Sequence, residues 1–378
     1  MNFDFSEEQQ MLKDSVARFV QDEYDFEARN KVVANEAGFS QENWQKFAEL
    51  GWLSIPFSET LGGFGGGATD TMVVMEELGK GLVAEPFIAS VLMFGGLLQS
   101  TAQSDERDAL IGGIIEGSVQ GAVAYAEPQS RFEMQDVRCR AEQDGDAYRL
   151  SGEKSLVLNA MSADKIIVSA RVSGEQSDEQ GIALFLVDAN AEGLSKTSLR
   201  TMDAQVVANI ALENVTAIAL CGANEGLALL KQMRQQVIVA LAAEALGIME
   251  KLNATTLEYC KTRKQFGVAI GSFQALQHRM VDTFMASEQC KSLLYRAVCS
   301  IEQGEDVANI EKNVLALKVM VGKAGKLIGG EAIQLHGGMG MTDELDVGHY
   351  VRRLLTINAA FGDADYQQQR FAELSLAS

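Results

Sequence analysis

Thr262-Arg263-Lys264-Gln265-Phe266-Gly267, followed shortly by Ser272-Phe273-Gln274, gathers an arginine, a flat aromatic ring and an amide into one short stretch. A guanidinium fork pairs bidentately with phosphate oxygens, and an aromatic face stacks on a ring or receives a cation, so this set suits a pyrophosphate with an aromatic ring system beside it. Further along, Gln334-Leu335-His336-Gly337-Gly338-Met339-Gly340 ends a helical pattern in glycines that let backbone approach a ligand closely. Taken singly, each stretch reads more simply as a helix C-cap and turn. Other chemistries find no support. His278, His336 and His349 stand in no HExxH or similar metal spacing, so no metal site is expected. No GxSxG elbow is present, and Cys139, Cys221, Cys260, Cys290 and Cys299 never form a CxxC pair, which argues against acyl transfer, zinc and a disulfide framework.

The elements that must position these residues fall into three stretches. With 378 residues and only 3 prolines, the chain has room for several packed units and few helix breakers. Residues 1 to about 118 read as helices: Ser6 with Gln9 makes a capping box, Ser40 opens a helix carrying Trp44, Phe47 and Leu50, and Gly51 stops it. The cluster Gly62, Gly63, Gly65, Gly66, Gly67 lacks phosphate-loop spacing and reads as a turn. From 119 to 222 short β-like runs follow, at Val119 to Tyr125, Tyr148 to Leu150, Lys165 to Ser169, Ile182 to Val187 and Ala208 to Leu212. No helical crossovers separate them, which predicts an antiparallel barrel or sandwich. From 223 to 378 helical periodicity returns, near 225 to 261, 272 to 303, 306 to 337 and 345 to 374. The fold class expected is α+β, mainly α, in three domains.

A formal charge of −20 repels phosphate backbones and anionic headgroups, so neither nucleic acid nor membrane is an expected partner. The acidic start MNFDFSEEQQ does not read as a signal peptide, and the scattered cysteines fit the expectation of a reducing cytoplasm.

Together, TRKQFGVAIGSFQALQH, the later AIQLHGGMG and a Tyr-Val-Arg-Arg helix resemble the C-terminal domain of the acyl-CoA dehydrogenases. The resemblance spans the chain, including EEQQMLKDSVARF near the start and ELGWLSIPFSETLGG. It implies an N-terminal helical domain, a middle antiparallel β-barrel, a C-terminal four-helix bundle, FAD at an oligomer interface, an acyl-CoA substrate and an electron-transfer flavoprotein as acceptor. In such enzymes a carboxylate takes the α-proton and flavin N5 the β-hydride, while the ADP half of FAD is held by a neighbouring subunit. By resemblance, the positions that hold it are Arg263, Phe266, Gln274, Gln334, Leu335, His336, Gly337 and Gly338.

Elsewhere the chain departs from the family pattern. Where a Thr-Glu-Pro motif places a hydroxyl near the flavin, it has Ala126-Glu127-Pro128; where Lys-x-Trp-Ile-Thr-Asn-Gly is usual, it has Lys154-Ser155-Leu156-Val157-Leu158-Asn159-Ala160. The two positions that carry the family's general base hold Phe361, beside Gly362, and Val237, ten residues before Gly247. The catalytic residue is therefore left unassigned, with Asp363 and Glu244 as substitute carboxylates. The run Phe361 to Asp365 with Ser130-Arg131 is similar to small subunits of pimeloyl-CoA dehydrogenases. That likeness implies a heterotetramer with a second, base-bearing subunit acting on a bulky or dicarboxylic acyl-CoA. A homotetramer with a relocated base and a catalytically silent scaffolding homologue are the alternatives.

Overall fold

Ser6 turns the chain into its first helix, α1 (Glu7–Glu23): its Oγ accepts the Gln9 N–H at 3.2 Å and the Gln9 side chain accepts the Ser6 N–H at 3.1 Å. The computed structural model describes residues 5–377. After α1 come α2 (Phe26–Ala34), α3 (Gln41–Glu49), α4 (Ala68–Gly81), a π-helical stretch Phe87–Gly95, α5 (Gly96–Gln99) and α6 (Asp105–Ile115). Ser40 caps α3 by accepting the Asn43 N–H, and Gly51, at φ 77°, ends it in the left-handed region. In the glycine cluster, a Cβ on Gly63 would stand 2.1 Å from the Phe57 carbonyl oxygen, so these residues form a close turn.

Seven strands follow: β1 (Gly121–Ala124), β2 (Arg140–Asp144), β3 (Ala147–Leu158), β4 (Lys165–Arg171), β5 (Ile182–Asp188), β6 (Leu194–Arg200) and β7 (Val206–Ala219). The ring β4-β2-β3-β7-β5 closes because β5 pairs with both β7 and β4. The barrel is mainly antiparallel, as expected, but β4 lies parallel to both β1 and β2, and β6 attaches outside the ring to β7. β1 and the core-facing runs of β4 and β5 are buried throughout, which made them legible as apolar runs.

The remaining helices are α7 (Gly226–Thr262), α8 (Gln274–Glu302), α9 (Val307–His336), α10 (Val347–Ala359) and α11 (Ala364–Ala377). A small hairpin of β8 (Lys264–Gln265) and β9 (Val268–Ala269) joins α7 to α8. The segment expected as one run from 345 to 374 is two helices, because Phe361 (φ 57°) and Gly362 (φ 105°) leave the helical region.

Contacts divide the chain into two compact units. One holds residues up to Lys31, Gly67–Val83 and Ile238 onward; the other holds Val32–Gly66 and Ala84–Val237. In the first, α9 packs against α8, α10 and α11, burying Val314, Val321, Ile328 and Leu335 along one heptad stripe. Each such side chain contributes roughly 1.5–3 kcal/mol of apolar burial. A Cβ on Gly79 would meet the Glu244 carbonyl at 2.2 Å and one on Gly247 the Glu76 carbonyl at 1.9 Å, so α4 and α7 cross with their backbones in reciprocal contact.

Candidate active site

At the end of α7 the chain turns out through Arg263. Its N–H donates to the Tyr259 carbonyl at 2.8 Å, and its own carbonyl accepts from Ile270 N–H at 2.9 Å, which closes the β8-β9 hairpin. Phe266 and Gly267 sit at the tip with φ 52° and 84°, the two left-handed residues of a type I′ turn. Phe266 is 92% exposed, edge-on to Phe273, and Gln274 opens α8 in solvent. Arg263 is exposed, and no carboxylate among the described residues pairs with it.

The second stretch ends α9. Gln334, Gly337 and Gly338 are exposed, and a Cβ on either glycine would meet nothing within 4 Å, so the backbone here is open to an approaching ligand. Gly337 stands at φ 61°, ψ −139°, a conformation reserved for glycine. Leu335 and His336 turn inward and are buried. His336 Nδ1 lies 2.8 Å from the Ala332 carbonyl, which can only accept, so this nitrogen carries the proton. The imidazole stacks on Tyr259 with centroids 4.3 Å apart, and the Tyr259 hydroxyl donates to the His336 carbonyl. Arg263 and the Gly337 turn are thus linked through Tyr259 at one end of the bundle; of the eight positions named by resemblance, Leu335 and His336 have their side chains in the packing.

In the β unit, Glu127 and Lys154 form a buried ion pair at 2.8 Å. Both Glu127 oxygens are used: Lys154 and the Cys139 N–H donate to one, Gln129 and the Arg138 N–H to the other. Burial pushes this carboxyl up, but Lys154 and these hydrogen bonds outweigh it and hold it below its ordinary range. The pair ties the Ala126–Arg131 loop to β3 and leaves Glu127 no role as a base. A bulge in β3 between Lys154 and Val157 throws Leu156 outward, 60% exposed at φ 52°, with its N–H donating to Asn209. Ala126 and Leu158 carry no hydroxyl, and Asn159 spends its amide on Gln120 and the Gly121 carbonyl.

Both substitute carboxylates are engaged. Arg353 grips Glu244 bidentately, Nε to Oε1 at 2.5 Å and Nη2 to Oε2 at 2.7 Å, in a buried pair. Asp363 caps α11, its Oδ1 accepting the Tyr366 N–H at 2.9 Å. Phe361 is half-buried, and Val237 is fully buried. Beneath the Phe361 loop, Lys318 is buried, donating to the carbonyls of Ile357 and Asn358 at the end of α10. Desolvation lowers its ammonium to about 7, against the opposing pull of Asp363. Sequence reasoning passed over Tyr259 and Lys318 and gave Arg353, the last residue of the Tyr-Val-Arg-Arg motif, no role; Tyr259, one helical turn before Arg263, carried a signal in its spacing.

Family profiles for the acyl-CoA dehydrogenase N-terminal, middle and C-terminal domains match residues 6–118, 122–215 and 224–376. The chain belongs to the acyl-CoA dehydrogenase family. It is 28% identical to the L-prolyl-[peptidyl-carrier protein] dehydrogenase of a Serratia species, across 98% of this chain and 97% of that one. It superposes on a variant of the Tcur3481-Tcur3483 steroid ACAD with TM-score 0.89, 28% identity and coverage of 98% and 99% of the two chains. A structure described as PigA with FAD and proline gives TM-score 0.92 at 27% identity, covering both chains completely at 100%.

The fold expectation holds: this acyl-CoA dehydrogenase has N-terminal helices, a middle β-barrel and a C-terminal helical bundle, and it is an oxidoreductase of a FAD-using family. Its two halves fit that cofactor differently. The exposed guanidinium of Arg263 and the open glycine backbone suit a diphosphate and a nucleotide, whereas Ala126 and Leu158 lack the hydroxyls that the family pattern aims at the flavin. Among the described residues, no group of His, Cys, Asp and Glu could hold a metal, and no helix is long and apolar enough to cross a membrane.

Proposed function

We propose that this acyl-CoA dehydrogenase chain is the base-lacking subunit of a heterotetramer, acting with a base-bearing partner on a bulky or dicarboxylic acyl-CoA. The observation that carries this reading is the state of the positions considered for the base: two hold Phe361 and Val237, Glu244 is locked to Arg353, and Asp363 caps a helix. Neither a phenyl nor an isopropyl group removes a proton. Arg263 and Gln274 with Gln334, Leu335, His336, Gly337 and Gly338 then serve as a nucleotide cradle offered to FAD in the partner, with Phe266 flanking it.

When bound, FAD supplies the hydride acceptor for Cα–Cβ oxidation. This chain's own part is to neutralise the diphosphate through Arg263, orient it through exposed amide and backbone groups, and leave α-proton removal to the partner's carboxylate. The two-component name of the steroid ACAD relative supports a paired assembly. An electron-transfer flavoprotein is the proposed acceptor, the cytoplasm the proposed location, and the domain limits proposed are 1–118, 119–222 and 223–378.

Expression of the chain alone and together with a base-bearing acyl-CoA dehydrogenase, followed by the FAD-to-protein ratio and solution mass, tests the reading. A colourless dimer alone and a yellow, active heterotetramer with the partner are expected. A yellow homotetramer that oxidises acyl-CoA unaided would sink it in favour of a relocated base.

A further inference from the structure

The two ligand-facing stretches of the bundle end lie far apart in the chain, yet a diphosphate and its nucleoside require them at a fixed separation. The side chain of Tyr259 joins them. Tyr259 sits in the last turn of α7, half-buried, and its carbonyl accepts the N–H of Arg263 at 2.8 Å and the Thr262 hydroxyl at 3.2 Å. Its ring stacks on His336 with centroids 4.3 Å apart and planes 29° from parallel, and its hydroxyl donates to the His336 carbonyl at 3.3 Å. His336 is itself fixed by its Nδ1–H on the Ala332 carbonyl, and the next residue is Gly337, where the backbone leaves the helix. One residue therefore touches the chain directly before Gly337 with its side chain and Arg263 with its backbone.

We infer that Tyr259, acting through His336, is the positioning residue that sets the separation between the two halves of the nucleotide cradle, the Arg263 hairpin and the Gly337-Gly338 turn. The inference rests on the reading of this end as the ADP half of a FAD site. Tyr259 touches no cofactor in this account. It holds Arg263, a long side chain with many rotamers, on a backbone that cannot drift away from the glycine turn, and it makes the two halves bind as one.

The test uses the co-purified assembly with FAD as the probe. Dissociation constants are measured by flavin fluorescence for wild type, Tyr259→Phe, Tyr259→Leu, Arg263→Ala and the Tyr259→Leu/Arg263→Ala double variant, beside thermal melts without FAD. Tyr259→Phe keeps the ring stack and loses one hydrogen bond, so about a threefold weakening is expected; Tyr259→Leu loses both, and about tenfold or more is expected. In the Arg263→Ala background the same leucine substitution should cost markedly less, because the group it positions is gone. Full additivity of the two substitutions would overturn the positioning role, since a merely structural tyrosine would act independently of Arg263. Unchanged affinity in both tyrosine variants, with Arg263→Ala still weakened, defeats the inference and spares the FAD reading. If Arg263→Ala also leaves affinity unchanged, the reading of this end as a FAD site fails and takes the inference with it. Should Tyr259→Leu not fold, Tyr259→Phe decides alone: wild-type affinity refutes the inference.

Discussion

The bundle end that carries Arg263 and the places where a base would stand use charge in opposite ways. Arg263 projects into solvent with no ion-paired carboxylate among the described residues, while Glu244 and Lys318 have their charged atoms committed to partners within the fold and Asp363 gives one carboxylate oxygen to a helix cap. A charged group available to a ligand must be left unsatisfied by its own chain; one that holds a structure together must not be. By that criterion the Arg263 end is open to a ligand, and the charged groups near the base positions serve the fold. The difference also suggests which half of the site a partner subunit would need to complete.

The sharpest way to break this comparison is Glu244→Ala. It strips both acceptors from a buried guanidinium, and the expected loss is roughly 3–5 kcal/mol in a urea melt, with turnover per folded assembly preserved. Abolished turnover at near-normal stability would return Glu244 to the list of bases.

A smaller effect sharpens the account of Lys318. Its folded value of about 7 lies below the ordinary lysine value of 10.5, so between these the unfolded chain binds more protons. Stability should therefore rise with pH across that window, and Lys318→Met should flatten the rise relative to wild type when melts are compared from pH 6.5 to 9.5, roughly the range set by these two values. An identical slope in both proteins would show that the ammonium is not held in this desolvated state.

The smallest change is expected from Asp363→Asn. Asparagine caps a helix about as well as aspartate, so melting temperature and kcat should both stay within about twofold or a degree or two of wild type. A fall of several orders of magnitude in kcat would identify Asp363 as the base and end the partner reading.

Helices were legible in the sequence where caps and periodicity agreed, as at Ser6, Ser40 and the heptad stripe of α9. Strands β1, β4 and β5 were legible because they are buried along their length. Strands β2 and β6 were not: Arg140–Asp144 and Leu194–Arg200 are mostly exposed and polar, so neither shows an apolar run although each pairs with the strand that follows it. The parallel placement of β1 left no local trace, because its partner β4 comes only after β2 and β3 in the chain. At the cradle, the residue types could be read, but not which side chains face outward. Leu335 and His336 lie in the same motif as Gln334, and only the helix phase turns them into the bundle.

What hid β6 also gives it a second consequence. This strand hangs outside the closed barrel, paired with β7 on one side only. A free strand edge is an invitation to sheet extension by another chain, and apolar side chains strengthen it. Ser195, Lys196, Thr197, Ser198 and Arg200 give such an intruder little to stack on, and the Arg200 guanidinium fastens the strand's end to the carbonyls of Val33 and Asn35. The polarity that leaves β6 unrecognisable as a strand in the sequence is what lets the barrel carry an open edge without seeding aggregates.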